Sequence, residues 1–450
     1  MGTIISYPKD FVWGVSTSAY QIEGSLDRDG RGPSIWDTLS AIPGRIHEGD
    51  DASVACDSYV RYEEDIALMK ELGVKAYRFS VSWPRIYPTG DGEVNPAGVE
   101  HYKRFVRKLR ENGIEPFCTL YHWELPQALQ DRGGWENRET VHAFVRFAET
   151  MFREFDGLIE KWMTFNEPWC TAINGHLLGR HAPGIMNWQS AIQVSHHLLV
   201  AHGLTVRRFR ELGVAGEIGY APDMYWYEPF SRKPEDVEAA KRAFGIYNWY
   251  VEPVFTGRYP EEMAAWLKTK GAAPVVEPGD MEIISEKIDF LGLNFYGGNI
   301  VRHKPGNNYL DLEHVDLGYD KSDKGWFIFP EGLYLMLNWL TDRFGQIPIY
   351  ITENGVSYND VVEDGRVQDQ KRIKFLESHI AEIGRAIESG ANVKGYLTWS
   401  LMDNFEWAFG YSCRFGLVYV DFRTQARIPK ESFYWYQKLI RKNWLQLESR

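Results

Sequence analysis

The stretch Val141-His-Ala-Phe-Val-Arg-Phe-Ala-Glu-Thr-Met-Phe-Arg-Glu-Phe155, followed shortly by Trp162-Met-Thr-Phe-Asn-Glu-Pro168, reads as one helix and one strand. Val145, Ala148, Met151 and Phe152 recur at the helical period and give the first segment an apolar stripe. The second is a short apolar run closed by Pro168, which cannot continue a ladder. The unit repeats in both directions. Arg61–Leu72 carries the same stripe with Tyr62, Ile66, Met69 and Leu72. Further strand-like runs lie at Phe11–Val15, Ala76–Val81, Pro116–Tyr121, Glu217–Tyr220, Ile288–Asn294, Pro348–Thr352 and Gly395–Trp399. Eight strands separated by helices are the βα alternation of a parallel sheet, and eight is the number that closes a barrel. The expected fold is therefore α/β, a (β/α)8 TIM barrel whose extended βα loops form an active-site mouth. No Pro/Gly/Ser-rich linker and no internal repeat divides the chain, so residues 1–450 read as one domain. The longest polar stretch, Val301–Lys324, is too long for an ordinary turn and is expected to lie over the top face as a binding loop.

Composition narrows the function. Hydrophobic residues make up 44% and charged residues 25%, a balance that excludes a disordered chain. The net charge of -12 opposes phosphate backbones and anionic lipid, so neither nucleic acid nor membrane is an expected partner. Aromatic residues reach 15%, enough to build a core and leave platforms for the apolar faces of sugar rings. Cys56, Cys118, Cys170 and Cys413 lack CxxC or zinc-type spacing and read as reduced, buried thiols. The N-terminal stretch MGTIISYPKDFVWG has no basic start followed by an apolar run. With no spanning apolar segment and no Asn-x-Ser/Thr sequon, a cytoplasmic location is expected.

Several chemistries lack their signatures. There is no GxGxxG, GxxxxGK[ST] or HExxH motif. Gly14-Val-Ser16-Thr-Ser18 misses the nucleophile elbow by its last glycine, and Asp27-Arg-Asp29-Gly30 has no Glu at the twelfth position of a calcium loop. His196-His197 falls on a helical segment with Val194, Leu198 and Leu199, where packing or a surface role is expected. Two glutamates remain. Glu167 ends the fourth strand run, and Glu353 ends the seventh, Ile349-Tyr-Ile-Thr-Glu-Asn-Gly355. In such a barrel the C-terminal strand ends surround the active-site mouth, so two distant carboxyls can converge there. Paired carboxyls cleave glycosidic bonds, one protonating the leaving oxygen while the other attacks the sugar.

Asn166-Glu167-Pro168 and Thr352-Glu353-Asn354-Gly355 resemble the two signatures of glycoside hydrolase family 1, the retaining β-glucosidases. The resemblance spans nearly the whole chain. It takes in Phe11-Val-Trp-Gly14, Tyr20-Gln-Ile-Glu-Gly24, Pro33-Ser-Ile-Trp-Asp37, Tyr77-Arg-Phe-Ser80, Tyr121-His-Trp123 and Leu293-Asn-Phe-Tyr296. It closes with Trp399-Ser-Leu-Met-Asp-Asn-Phe-Glu-Trp407 and Arg414-Phe-Gly-Leu417. It implies Glu167 as acid/base and Glu353 as nucleophile, supported by Arg78, Asn166 and Tyr296. It further implies that Gln21, His122, Trp123, Asn166, Asn294, Tyr296, Glu406 and Trp407 hold the non-reducing sugar, with Trp399 beneath its ring. On the leaving-group side Trp169, His181, Trp326 and Phe415 are expected. Glu406 stands where the family's 6-phosphoglycosidases carry Ser, and an anion there would oppose a phosphate dianion. Glu167 stands where the sulfur-glycoside branch carries Gln.

The reading is thus a hydrolase of terminal β-D-glucosyl residues, extending to galactosides, fucosides and short oligosaccharides such as cellobiose. The partner is a small-molecule β-glycoside, and no metal or organic cofactor is required. A 6-phospho-β-glucosidase, a binding barrel without turnover and a transglycosidase are the alternatives. Oligomeric state is left open.

Overall fold

The eight runs read as strands close into one parallel barrel in a computed structural model that describes residues 3–447. They are β1 (Val12–Ser16), β2 (Ala76–Ser80), β3 (Glu115–Tyr121), β4 (Lys161–Asn166), β5 (Glu217–Ala221), β6 (Phe290–Asn294), β7 (Ile349–Glu353) and β8 (Val393–Trp399). Each pairs with the next in sequence, and β8 returns to β1 with Gly395 opposite Val12 and Trp399 opposite Ser16. Ala76, Phe117, Met163, Ala221, Phe290, Tyr350 and Leu397, contributed by successive strands, pack into one buried interior cluster. Small and large side chains share that space, with Phe117 and Phe290 set edge-on to Tyr350.

Helices follow every strand. The main ones are Ser58–Leu72, Pro96–Glu111, Glu139–Glu154, Trp188–Leu212, Pro234–Asn248, Glu331–Phe344, Gln370–Glu388 and Glu431–Lys442. In Glu139–Glu154 the buried stripe runs through Val141, Phe144, Phe147, Ala148, Met151 and Phe152, while Val145 sits at its half-buried edge. His196 and His197 are buried in Trp188–Leu212. His196 bonds Asp280 and Tyr259, and His197 bonds the Trp135 carbonyl, so both serve packing.

The stretch Val301–Lys324 is not a plain loop. Gly298–His303 and Leu312–His314 form an antiparallel hairpin, and Trp226–Pro229 adds a third strand beside it. Glu313 pairs with Arg302 and with Lys304 across the strands, and Val301 and Leu312 are buried beneath them. Such a ladder has no apolar alternation, so sequence pattern alone gives no strand signal. A second unforeseen pairing joins Thr3–Ser6 to Trp444–Leu447. All four cysteines are buried and free. Among the described residues no helix is long and apolar enough to cross a membrane.

Candidate active site

Backbone geometry at the strand ends sets the site. Glu353 is the last residue of β7, and Glu167 directly follows β4. Glu167 adopts φ 42°, Trp123 φ 80° and Trp407 φ 51°, a left-handed region that costs non-glycine residues steric energy. Three expected site residues sharing that conformation is the clustering seen where a scaffold over-determines functional side chains. Gly355 answers a different need. A Cβ there would lie 1.8 Å from the Trp399 carbonyl oxygen, so only glycine lets the chain leave β7 against the end of β8.

The two glutamates are joined by one buried network. Arg78, fully buried on β2, donates to Glu353 Oε1 at 2.5 Å and to Asn166 Oδ1 at 2.5 Å. The Tyr296 hydroxyl donates to the other oxygen of Glu353 at 2.6 Å. Asn294 donates to Asn166 Oδ1 at 2.9 Å and to Glu167 Oε1 at 2.8 Å. Thr352 anchors Asn294 through its side-chain oxygen. Because Asn166 Oδ1 receives two donors, its amide nitrogen faces His122 Nε2, 3.1 Å away. His122 Nε2 must then accept, which leaves the proton on Nδ1. That Nδ1 is buried without a protein partner, a donor free for a ligand hydroxyl.

The environments of the two carboxyls differ in kind. A full positive charge and a phenol face Glu353. Among the described residues Glu167 forms no ion pair. Burial first, then the nearby acids Asp223 and Glu353, hold it well above the usual carboxyl range, while Asn294 and Cys170 oppose that shift. Burial pushes the His122 imidazole far down, helped by Arg78, so the ring is neutral. Glu406 is pushed up to about 8 by burial and by Glu353. At neutral pH it is a neutral carboxyl that both donates and accepts, so charge on Glu406 is not what opposes a phosphate.

A cavity of about 640 Å³ opens over the barrel, lined by both glutamates. Arg78, Asn166 and Asn294 lie beneath it, each fully buried. On one side stand Gln21, His122, Trp123, Trp399, Glu406 and Trp407. Gln21 donates to Glu406 at 3.3 Å, and the His122 ring lies near-parallel to both Trp399 and Trp407. On the other side Trp169 stacks on Tyr247 at 4.8 Å. Trp326, 36% exposed, meets Tyr296 and Phe415 at about 6 Å between ring centroids. His181 packs against Trp123 and Trp36 and lines the same cavity as Trp169 and Trp326. The hairpin region contributes Asn308, Tyr309, Leu310, Leu312 and His314, so it does wall the cavity.

The sequence model for glycosyl hydrolase family 1 matches residues 4–445. The chain belongs to glycosyl hydrolase family 1. Within the family it is 45% identical over 443 residues to β-glucosidase A of Acetivibrio thermocellus, covering 98% of this chain and 99% of that one. It is 46% identical over 443 residues to β-glucosidase A of Thermotoga maritima, with the same coverage. A solved family 1 β-glucosidase from Thermotoga maritima superposes with a TM-score of 0.95 at 45% identity, covering 99% of this chain and 100% of that one. Another structure of the Thermotoga maritima enzyme, in complex with isofagomine lactam, gives 0.94 at 46% identity, covering 98% and 100%. This family 1 cavity also holds groups that the sequence reading passed over. Cys170 donates its thiol to Glu167 Oε2 at 3.3 Å. Asp223, Arg180, Tyr225, Tyr227 and Tyr247 line the wall. Asp223 stands two residues past the end of β5, the same offset that Trp123 has from β3 and Tyr296 from β6.

Proposed function

We propose that this family 1 enzyme is a retaining β-glucosidase, with Glu353 as nucleophile and Glu167 as acid and then base. The carrying observation is the contrast between two carboxyls in one cavity, one paired with Arg78 and Tyr296, the other buried without an ion pair among the described residues. In the first step a Glu353 oxygen forms a bond to the anomeric carbon. The glycosidic C–O bond breaks, its electrons go to the leaving oxygen, and Glu167 delivers the proton. In the second step Glu167 takes a proton from water as the water displaces Glu353, restoring both groups. The Tyr296 hydroxyl and Arg78 hold the attacking carboxylate in place. Asn166 keeps one amide hydrogen beyond its contact to His122, available to a sugar 2-hydroxyl.

The sugar is a terminal β-glucosyl unit. Its ring lies over Trp399, its hydroxyls meet Gln21, His122, Asn294 and Glu406, and Trp123 and Trp407 flank it. β-Galactosides, β-fucosides and cellobiose are further substrates, with Trp169, His181, Trp326 and Phe415 beside the leaving group. The names of the relatives, β-glucosidase A in two bacteria, support the glucoside assignment. The direct test is proton NMR of early hydrolysis of an aryl β-glucoside. β-Glucose is expected as the first product, and α-glucose would refute retention.

A phosphate at the sugar's 6-position is disfavoured because it needs cations. Lys324, which acts on Glu406, already donates to Ser412 at 3.0 Å and lies 4.8 Å over the Phe409 ring. An aryl β-glucoside is therefore expected to turn over at least about tenfold faster than its 6-phosphate, matching a loss of one to two charge-assisted hydrogen bonds. Parallel rate measurements decide, and a preference for the phosphate would overturn the reading that the sugar carries a free 6-hydroxyl.

A further inference from the structure

Behind the acid sits a third carboxyl that the mechanism above does not use. Asp223 follows β5, is 3% exposed, and its Oδ1 has no hydrogen-bond partner. Carboxyl oxygens of Asp223 and Glu167, together with Cys170 Sγ, lie within 4.8 Å of one another. The neighbours of this group are acids, a thiol and phenols. Glu167 and Cys170 face it from the segment after β4, and Glu353 from β7. Tyr220, Tyr225 and Tyr227 come from its own strand and the loop beyond, with Tyr247 and Tyr250 from the next helical segment and Tyr309 from the hairpin region. No ion pair to Asp223 exists among the described residues. The cavity's arginine, Arg180, acts on Tyr309.

Two carboxyls this close, out of water and without an ion pair, cannot both ionise at low cost. The pair behaves as one acid system holding at least one proton through neutral pH. We propose that Asp223 is a positioning residue for acid catalysis, crowding a second carboxyl against Glu167 where neither has an ion-pair partner among the described residues and so keeping the proton on Glu167. Burial and Glu353 push Asp223 itself up to about 8. Glu167 is raised as well, and charge on either carboxyl strengthens the other's hold on its proton. When Glu353 becomes an ester to the sugar, one of the two like charges acting on Glu167 disappears. Glu167 is then freed to act as base while Asp223 stays.

The inference rests on Glu167 being the acid, and the experiment separates the two. The dependence of kcat/KM on pH reports the free enzyme's acid, and an alkyl β-glucoside, whose leaving group needs protonation, makes that acid limiting. For the parent enzyme the alkaline limb is expected well above the ordinary carboxyl range. Asp223→Asn and Asp223→Ala, two neutral replacements of different shape, are each expected to move it down by about one pH unit or more. Asp223→Glu, which keeps the charge, is expected to return it. A purely structural role would lower rates without moving the limb. An unmoved limb in either folded neutral variant overturns the inference and leaves Glu167 standing as the acid. An alkaline limb that persists in Glu167→Gln overturns the assignment of Glu167 itself.

Discussion

Glu353→Ala is expected to lower kcat for an aryl β-glucoside by roughly 10⁴-fold or more, the scale on which removal of a covalent nucleophile acts. The substitution removes the atom that bonds to the sugar, so no change of substrate concentration restores the rate. It also strands Arg78, which is fully buried and loses its charge partner. Breaking a buried pair on one side costs about 3–5 kcal/mol, so part of a lost rate could be lost fold. Glu353→Gln controls for this, because its one amide oxygen still accepts from Arg78, its nitrogen can donate to the Tyr296 oxygen, and neither can attack. Both variants should be inactive, with the glutamine one melting nearer the parent enzyme. In the alanine variant, formate can occupy the vacated space beside Arg78 and attack the sugar from the same face. Rescue should then release a product of inverted, α configuration. Substantial unrescued activity in folded Glu353→Ala would sink the nucleophile assignment.

The barrel was legible because its strands are buried on both faces and so read as short continuous runs. Ala76–Ser80 is buried at all five positions, including Arg78, and Ile349–Glu353 is too. Arg78 in such a run is a warning that a charge is being kept for a purpose, and its partner proved to be Glu353. Elements outside the barrel carried weaker signals. The Gly298–His303 and Leu312–His314 hairpin carries the charged pairs of Glu313 with Arg302 and Lys304, and the strand Thr3–Ser6 leaves Ile4 exposed. Neither presents the one-sided apolar face that period-two reading needs.

The site was legible where a residue type was costly at its position, as with a glutamate closing an apolar strand. It was less legible where the environment makes the chemistry. Nothing local to Glu406 announces that burial and Glu353 would raise it to about 8, because both causes come from elsewhere in the chain. Asp223 was missed although it stands at a strand end, since a single aspartate among many acids has no distinguishing neighbours in sequence.

Glu167→Gln should give a loss that depends on the leaving group, which a general collapse of the site would not produce. The amide keeps the shape and can still meet Asn294, now bonded to the acid at 2.8 Å, but it has no proton to give. For cellobiose or an alkyl glucoside, whose leaving oxygens are strongly basic, the first step is expected to slow by about 10²–10⁴-fold. For a dinitrophenyl glucoside the leaving group departs unaided, so formation of the glycosyl ester at Glu353 should stay within about tenfold of the parent rate. The second step then lacks its base, and the ester accumulates as a burst of phenol followed by slow turnover. Azide needs no base, so adding it should restore turnover and yield β-glucosyl azide. The pH dependence carries the same sign. Glu167 is raised above the ordinary carboxyl range, so it is protonated through neutrality and activity falls only as pH rises through its titration. Removing the group should remove that alkaline fall for alkyl glucosides. Equal losses on dinitrophenyl and alkyl glucosides in a folded variant would show that Glu167 holds the substrate without protonating it.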